Sequence, residues 1–525
     1  MQRFFGVIIF LVYVTICSAQ YIQINQGKFL IRDTPFTPVI LNYGVNIRYE
    51  GDGQWISRMM SYYTNPAKYN CSNKQDCLDD LIADLRLIRS KGFNVIRVFN
   101  FEFGNNSDNV KEKRSGTVDI SYYYGPQKFH PFIAPFEDHF VILDQLIDAA
   151  RKADIKIILL AGGKHVEKFP RSAEYARYLE ALASRYKDEP SIIAYDLLNE
   201  PSYFAKGLSK KEIYTLVRQW CGSIRSHTKN QLITIGLGDS KTTFDWDPKM
   251  LDVDFYSYHL YPDNQGNATP YRNQLFYFSQ ISDKPWIIGE TGFAASSFNT
   301  GKPTDGDLNA QKDYFSKTYQ YCMDCGGLAY SWWQFHDVSW SPDYGLVDSM
   351  DQLKPFGQMI SEVAARPPHP EACIPDESYF QPIKGFTNFY SGKIIDEDGR
   401  PVAHALIVSS AVNGKSSFTF SRPDGTYNIY SKGTISVLKI TAAGFENRRR
   451  SAFFDNTTTR LKKSVVDEKT FYERVKSNNY AFCKHLAEQS RDHCIFECGN
   501  DDTCRKECRA RFEKEIRLCN IENKK

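Results

Sequence analysis

Little in this chain favours one sign of charge: 65 lysines and arginines face 62 aspartates and glutamates, a net of +3 over 525 residues. Such balance gives no electrostatic reason to expect a nucleic acid or a strongly acidic partner. Long apolar runs are equally scarce. After the stretch from Phe4 to Ile16, no segment approaches the ~20 apolar residues of a membrane-spanning helix. The first strand-to-helix junction has no glycine-rich phosphate-binding signature, which argues against an open, doubly wound nucleotide-binding sheet. Low-complexity tracts are also missing.

Cysteine, in contrast, is plentiful, and its meaning depends on the compartment. Met1-Gln-Arg3, the apolar run that follows and the small pair Ser18-Ala19 read as a secretory leader over residues 1–20, so the chain is expected to be secreted and extracellular. In an oxidising compartment thiols pair. Of 13 cysteines, Cys17 leaves with the leader and an even number remains. Cys71 and Cys77 are expected to close a local loop. Cys483, Cys494, Cys498, Cys504, Cys508 and Cys519 form a palindrome of spacings about Asp501. Spacings of eleven and four return to one face of a helix. Folding the arms back at Gly499 to Asp502 sets Cys498 against Cys504, Cys494 against Cys508 and Cys483 against Cys519. A zinc site made of the two C-x-x-x-C pairs is the competing reading. Cys221, Cys322, Cys325 and Cys373 stay unassigned, with Cys373 in reach of Cys322 or Cys325. Asn70, Asn105, Asn267 and Asn456 are glycosylation sequons.

A composition of 42% hydrophobic and 14% aromatic residues supports a large core and more than one domain. Between Tyr21 and Arg366, β-rich runs alternate with amphipathic stretches. Eight strands are predicted: 43–47, 95–99, 156–160, 192–198, 232–235, 254–258, 286–290 and 328–332. Helices are predicted over 77–91, 137–154, 172–187, 209–227 and 309–323. This alternation points to a closed (β/α)8 barrel over residues 21–366, whose site lies at the C-terminal ends of its strands. Residues 367–382 are proline-rich and read as a stiff linker. Alternating runs and turn signals over 383–466 suggest a small β-sandwich. There, Ser391 to Val402, Pro423 to Ile429 and Ala443-Gly-Phe-Glu446 resemble the carboxypeptidase regulatory-like domain, which implies no catalytic machinery of its own. The stapled α-helical hairpin would occupy 467–525.

Chemistry concentrates at two strand ends. Tyr195-Asp-Leu-Leu-Asn-Glu200-Pro201 delivers one glutamate and Trp286-Ile-Ile-Gly-Glu290-Thr291 another. Acetal cleavage needs one carboxyl to protonate the departing oxygen and another to stabilise or attack the anomeric carbon. Asn199 is placed to bind a sugar 2-hydroxyl. Arg97, inside the apolar run Asn94-Val-Ile-Arg-Val-Phe99, needs an anionic partner if buried. A catalytic carboxylate is its natural one, and pairing is expected to lower that carboxylate's pKa and keep it ionised. His259 and Tyr261, in Tyr256-Ser-Tyr-His-Leu-Tyr-Pro262, are placed to orient the acid and the nucleophile. Trp333 offers a face on which a pyranose ring stacks.

Taken in order, Arg97, Asn199-Glu200-Pro201, His259-x-Tyr261, Glu290 and Trp333 resemble glycoside hydrolase family 5 of clan A, the cellulases and β-mannanases, over roughly residues 22–365. The resemblance implies a retaining double displacement, with Glu200 as acid/base, Glu290 as nucleophile and the other five as supporting residues. It implies no metal or organic cofactor. The expected partner is a polysaccharide or oligosaccharide of the β-mannan or β-glucan type, attacked within the chain, with a protein or matrix partner open to the C-terminal domains. Two positions depart from the family pattern. His165 lies beyond the third strand tip, where a polar substrate contact is common, and Thr291 follows Glu290 where a phenylalanine is frequent. The alternative from another class is a catalytically inactive carbohydrate-binding or scaffold protein on the same barrel.

Overall fold

The computed structural model describes residues 21–524 apart from loop segments, the longest being 60–70, 104–116, 119–135, 296–303 and 465–480, and apart from most of 482–500. The expected leader at residues 1–20, the four sequons, His165, Cys483, Cys494 and Cys498 lie outside the described residues.

Eight parallel strands form the barrel: β1 (Val39–Glu50), β2 (Val95–Phe99), β3 (Lys156–Leu160), β4 (Ile192–Asn199), β5 (Leu232–Leu237), β6 (Tyr256–His259), β7 (Trp286–Thr291) and β8 (Tyr330–Trp332). They neighbour one another in sequence order, and β8 pairs back onto β1 from Tyr330↔Val39 to Trp332↔Leu41, closing the ring. All eight predicted strands are present. β1 reaches back to Val39 and pairs with a strand over Gly53–Arg58 as a hairpin arm.

Side chains alternate across each strand, and this explains the polar residues inside apolar runs. Outward residues such as Leu41, Ile96, Leu159, Tyr195 and Ile233 join the large cluster under the helices. Inward residues come in two layers. Ile40, Val95, Ile158, Ala194 and Ala329 make an apolar lower layer. Two positions further along the same strands, Asn42, Arg97, Asp196 and Ser331 make a buried polar layer beneath the C-terminal rim. An antiparallel sheet over Ile22–Asn25, Lys28–Ile31 and Thr34–Pro35 packs Ile22 and Phe29 onto the lower layer, with Phe29 edge-on to Phe255 at 5.5 Å. That apolar floor seals one end, so the polar layer opens only toward the rim.

The surrounding helices are α1 (Lys74–Ser90), α2 (Glu137–Lys152), α3 (Arg171–Tyr186), the short α4 (Pro201–Phe204), α5 (Lys210–Arg225), α6 (Ala268–Ile281), α7 (Asp305–Asp324) and α8 (Ile360–Ala364). Their starts follow from capping: Asn73 accepts the amides of Gln75 and Asp76, while Ser209/Glu212 and Thr304/Asp307 form reciprocal capping boxes. Helix α6 was not anticipated by the sequence reading.

Of the expected stiff linker, residues 367–380 lie along the barrel. Cys373 is disulfide-bonded to Cys325, Arg272 donates to the carbonyls of Ala372 and Ile374, Asn273 bonds Ser378 and Asp376, and Tyr379 is buried in the barrel's cluster. Proline stiffness here shapes a strap. Cys71–Cys77 is the other disulfide with both partners described, and Cys221 and Cys322 are buried thiols.

Beyond the strap, seven strands form two sheets around one apolar core of Ile394, Ile407, Ile429, Leu438 and Ile440. They are β9 (Asn388–Ile395), β10 (Leu406–Ala411), β11 (Phe418–Phe420), β12 (Thr426–Ser431), β13 (Ile435–Thr441), β14 (Arg448–Ser451) and β15 (Thr457–Arg460), ordered β12-β9-β15 and β11-β10-β13-β14. The second sheet lies on the barrel. Phe420 packs on Tyr277 at 4.2 Å and on Tyr379 at 4.5 Å, and Lys210, buried on the barrel side, donates to Asp247 at 2.8 Å and to the carbonyls of Ala442 and Phe445. Helix α9 (Asp502–Lys524) carries Cys504, Cys508 and Cys519, each disulfide-bonded, and Arg491 lies over the Phe512 ring at 4.7 Å.

Candidate active site

Glu200 sits where β4 turns abruptly into α4, in the left-handed region at φ 47° and ψ 51°. A non-glycine residue there costs on the order of 1–2 kcal/mol, and Pro201 at the first helical position and the Glu200 N–H to Gly236 carbonyl bond at 2.8 Å hold the turn. Such strain is characteristic of residues fixed for chemistry. Glu290 lies on β7, and His259 ends β6 between them. Donor atoms of Glu200, His259 and Glu290 all fall within 4.8 Å of one another.

The two carboxyls have different surroundings. Glu290 is 6% exposed, and both its oxygens are engaged: Oε1 accepts the Tyr261 hydroxyl at 2.6 Å and Oε2 accepts Arg97 Nη1 at 3.1 Å. The Glu200 side chain is 19% exposed, and its Oε1 faces His259 Nδ1 at 3.2 Å. Burial is the largest influence on Glu290 and lifts its carboxyl above the usual range, with Glu200 adding to it, while His259, Arg97 and Tyr261 offset part. Arg97 acts in the expected direction, lowering the Glu290 pKa, but burial outweighs it. Arg97 is not dedicated to Glu290: its Nε and Nη2 both meet Asp196 Oδ2 at 2.8 Å, its Nη1 also reaches Asn42 Oδ1 at 3.0 Å, and its Nη2 reaches Asn199 Oδ1 at 2.8 Å. One guanidinium shared by two carboxylates does not cancel the desolvation of the second.

The remaining groups follow from donor and acceptor logic. Arginine only donates, so the Asn199 carbonyl faces Arg97 and its NH2 is the end left for a ligand. Burial brings His259 down to about 4, leaving a neutral ring at ordinary pH. Its proton belongs on Nδ1, which faces Glu200 Oε1 and lies 3.6 Å from Glu290 Oε2, because Nε2 has no hydrogen-bond partner among the described residues. Glycine at 236 is what admits the ring: an added Cβ would lie 2.7 Å from Nε2. Burial and the adjacent Glu290 push the Tyr261 phenol well above its ordinary value, so it remains a donor. Trp333, half-buried, is fixed by its Nε1 bond to Ser341 Oγ at 2.9 Å and by Phe99 at 4.6 Å.

All seven sequence candidates therefore converge on one rim. Two residues of the constellation were missed. Asp196 is fully buried, and its Oδ1 accepts the Gly236 amide at 2.9 Å, tying β4 to β5. Asn42 is also fully buried and bridges Arg97 to Ser331 Oγ at 2.9 Å. The Asp196 signal was available, as an acid inside an apolar run. The Glu200–His259–Glu290 set also has metal-ligand proximity. However, Arg97 and Tyr261 already occupy both oxygens of Glu290, and a guanidinium 3.1 Å away disfavours a second cation there.

The model of the cellulases, glycosyl hydrolase family 5, matches residues 56–339, more than half of the chain. The chain belongs to glycosyl hydrolase family 5. This family 5 chain is a glycoside hydrolase by membership, and its rim carries the paired carboxyls that such chemistry requires. It is similar to mannan endo-1,4-β-mannosidase A of Podospora anserina, at 26% identity over 42% of this chain and 67% of that one. It is also similar to mannan endo-1,4-β-mannosidase F of Aspergillus fumigatus, at 25% identity over 56% of this chain and 69% of that one. Among solved structures it resembles an exo-β-1,4-mannosidase from an Opitutaceae bacterium, at 17% identity and a TM-score of 0.46, over 65% of this chain and 62% of that one. Among the described residues, no helix of this family 5 chain is long and apolar enough to cross a membrane.

Proposed function

We propose that the chain is a secreted, retaining β-glycoside hydrolase that cleaves a β-mannan or a related β-glucan within the chain. The observation that carries the reading is the closeness of the two carboxyls: one oxygen of each lies within 4.8 Å of the other, in keeping with the ~5–5.5 Å separation of a retaining pair, whereas an inverting pair stands ~6.5–9.5 Å apart to admit a water. Glu290, buried and oriented by Tyr261 and Arg97, is the nucleophile. Its carboxylate bonds to the anomeric carbon while the glycosidic C–O bond breaks, and Glu200, the more exposed of the two, gives its proton to the departing oxygen. Water then attacks the glycosyl ester, Glu200 takes the water's proton, and Glu290 leaves as carboxylate. The Asn199 NH2 donates to the sugar 2-hydroxyl, a bond that strengthens as charge develops, and Trp333 supports the ring. The names of the two fungal relatives favour mannan over glucan, and disulfides of the kind seen here persist in oxidising compartments, in keeping with secretion. The test is hydrolysis of β-mannan, β-glucan, xylan and aryl β-glycosides, with Glu290→Ala as the blank. Activity lost in the variant supports the reading, and glycan binding without cleavage by either protein overturns it.

A further inference from the structure

Between the barrel and the sandwich lies a cavity of ≈ 710 Å³, within the size range of small-ligand sites. Its barrel wall includes Ala205, the residue that ends α4, and Gly207 to Lys211, which lead into the first turn of α5. Its other wall is the edge of the sandwich, where Lys439 on β13 stands directly opposite Arg449 on β14. The charges in the walls do not balance. Lys439 is paired with Asp245 at 2.8 Å, Glu446 with Lys462 at 3.5 Å, and Lys210 with the buried Asp247. Lys211 and Arg449 remain without a carboxylate partner among the described residues, one from each side of the cavity. Two unpaired cations facing a shared concave space favour an anion.

The approach from the catalytic rim is aromatic. Tyr203 and Phe204 on α4 are 38% and 37% exposed, with their rings 6.5 Å apart, among the few large apolar side chains left open to solvent. They lie between Glu200, which immediately precedes α4, and Ala205 at the cavity. The four residues of α4 span ~6 Å, so the two rings, set edge to face at 69°, stand on the short segment that joins Glu200 to the cavity residue Ala205. Planar aromatic faces suit sugar rings, and Lys211 with Arg449 suits a negatively charged substituent.

We propose that the barrel–sandwich cavity is a second carbohydrate-binding site, which takes an anionic group on a glycan chain, a carboxylate or a sulfate ester, between Lys211 and Arg449. The sandwich thereby supplies half of a substrate-recognition site, not merely support. The proposal rests on the glycosidase reading only for the direction from which the glycan enters. It makes the preferred substrate a β-glycan bearing acidic substituents.

The experiment uses the full chain carrying Glu290→Gln, so that ligand is not consumed. Binding of neutral, carboxylated and sulfated forms of one β-mannan oligosaccharide is measured by calorimetry at low and at physiological salt, beside inorganic sulfate and free glucuronate. We expect an acidic oligosaccharide to bind at least tenfold more tightly than the neutral one, with the advantage shrinking as salt rises. Which acidic form wins identifies carboxylate or sulfate. Adding Lys211→Gln and Arg449→Gln should abolish the advantage while neutral-oligosaccharide affinity stays unchanged, and the same pair in the wild-type background should leave aryl β-glycoside hydrolysis unchanged. Unchanged melting temperature certifies the fold, and Lys211→Arg with Arg449→Lys should restore the preference. Equal binding of neutral and acidic forms overturns the proposal, as does an advantage that survives the double substitution or binding of the free anions alone. If the wild-type chain cleaves no glycoside yet the acidic preference depends on both residues, the second site stands and the hydrolase reading falls.

Discussion

Tyr261→Phe removes one oxygen from the surroundings of Glu290, the proposed nucleophile, and its consequence can be worked out in sign and size. The lost bond is a 2.6 Å phenol-to-carboxylate contact to a glutamate that is 6% exposed. Hydrogen bonds to charged groups are worth about 1.5–3 kcal/mol. This one favours the ionised form of Glu290, whose carboxyl already lies above the usual range because of burial. Removing it raises that pKa further, by about 1–2 units at 1.36 kcal/mol per unit. Attack requires the ionised form, so activity is lost on the acidic side, and the acid limb of kcat/KM against pH should move up by about 1–2 units. On the plateau, a less firmly oriented carboxylate should also cost about tenfold. The assay is kcat/KM for an aryl β-glycoside from pH 3 to 9, wild type beside variant, with circular dichroism to certify the fold. An acid limb that stays in place while activity falls uniformly would refute the claim that this hydroxyl governs the charge on Glu290.

Asp196→Asn should move the same limb the other way, because Arg97 released from Asp196 acts more fully on Glu290; kcat should fall as Arg97 loses its anchor, and about 3 kcal/mol of stability should be lost with the buried pair. No downward shift in the pH profile would count against a shared guanidinium. Glu290→Gln should stabilise the fold as pH rises. A carboxyl whose folded pKa lies above its unfolded value binds its proton more tightly when folded, so the wild type loses stability from the ordinary glutamate range up through the raised value, and glutamine does not. Melting temperatures of the two proteins should converge at low pH and diverge through that window; a constant gap would contradict the raised pKa. Cys373→Ser opens a disulfide between residues 48 apart, worth about 4 kcal/mol on the chain-entropy model. It should lower Tm and expose the 367–380 strap to protease, whereas an unchanged digestion pattern would mean that the side-chain bonds hold the strap alone.

How far the sequence disclosed this depends on the kind of signal. The predicted strands at 95–99 and 156–160 match the observed bounds, because buried parallel strands read as short β-branched runs whatever their neighbours. Glu200 and Glu290 were legible as acids closing such runs, and Arg97 as a cation that burial would not tolerate alone. Asp196 was legible as an acid inside an apolar run, but its pairing with Arg97 was not: the two lie 99 residues apart and meet only because inward positions of β2 and β4 share one layer of the barrel. Asn42 was hidden for the same reason. Helix α6 escaped because its sequence, ATPYRNQLFYFSQI, has no acidic residue in its first turn and no basic one in its last. That the linker lies on the barrel was not legible, because proline content reports stiffness, not whether a stiff segment has a surface to lie on.

The assignment of Glu290 as nucleophile is most directly tested by trapping the glycosyl–enzyme with a 2-deoxy-2-fluoro β-mannoside and mapping the labelled peptide by mass spectrometry. The account predicts a single glycosyl group on Glu290, and none when Glu290→Ala is treated alike. Label on Glu200 or another carboxylate, or continued turnover of β-mannan with inversion and no covalent adduct, would contradict it.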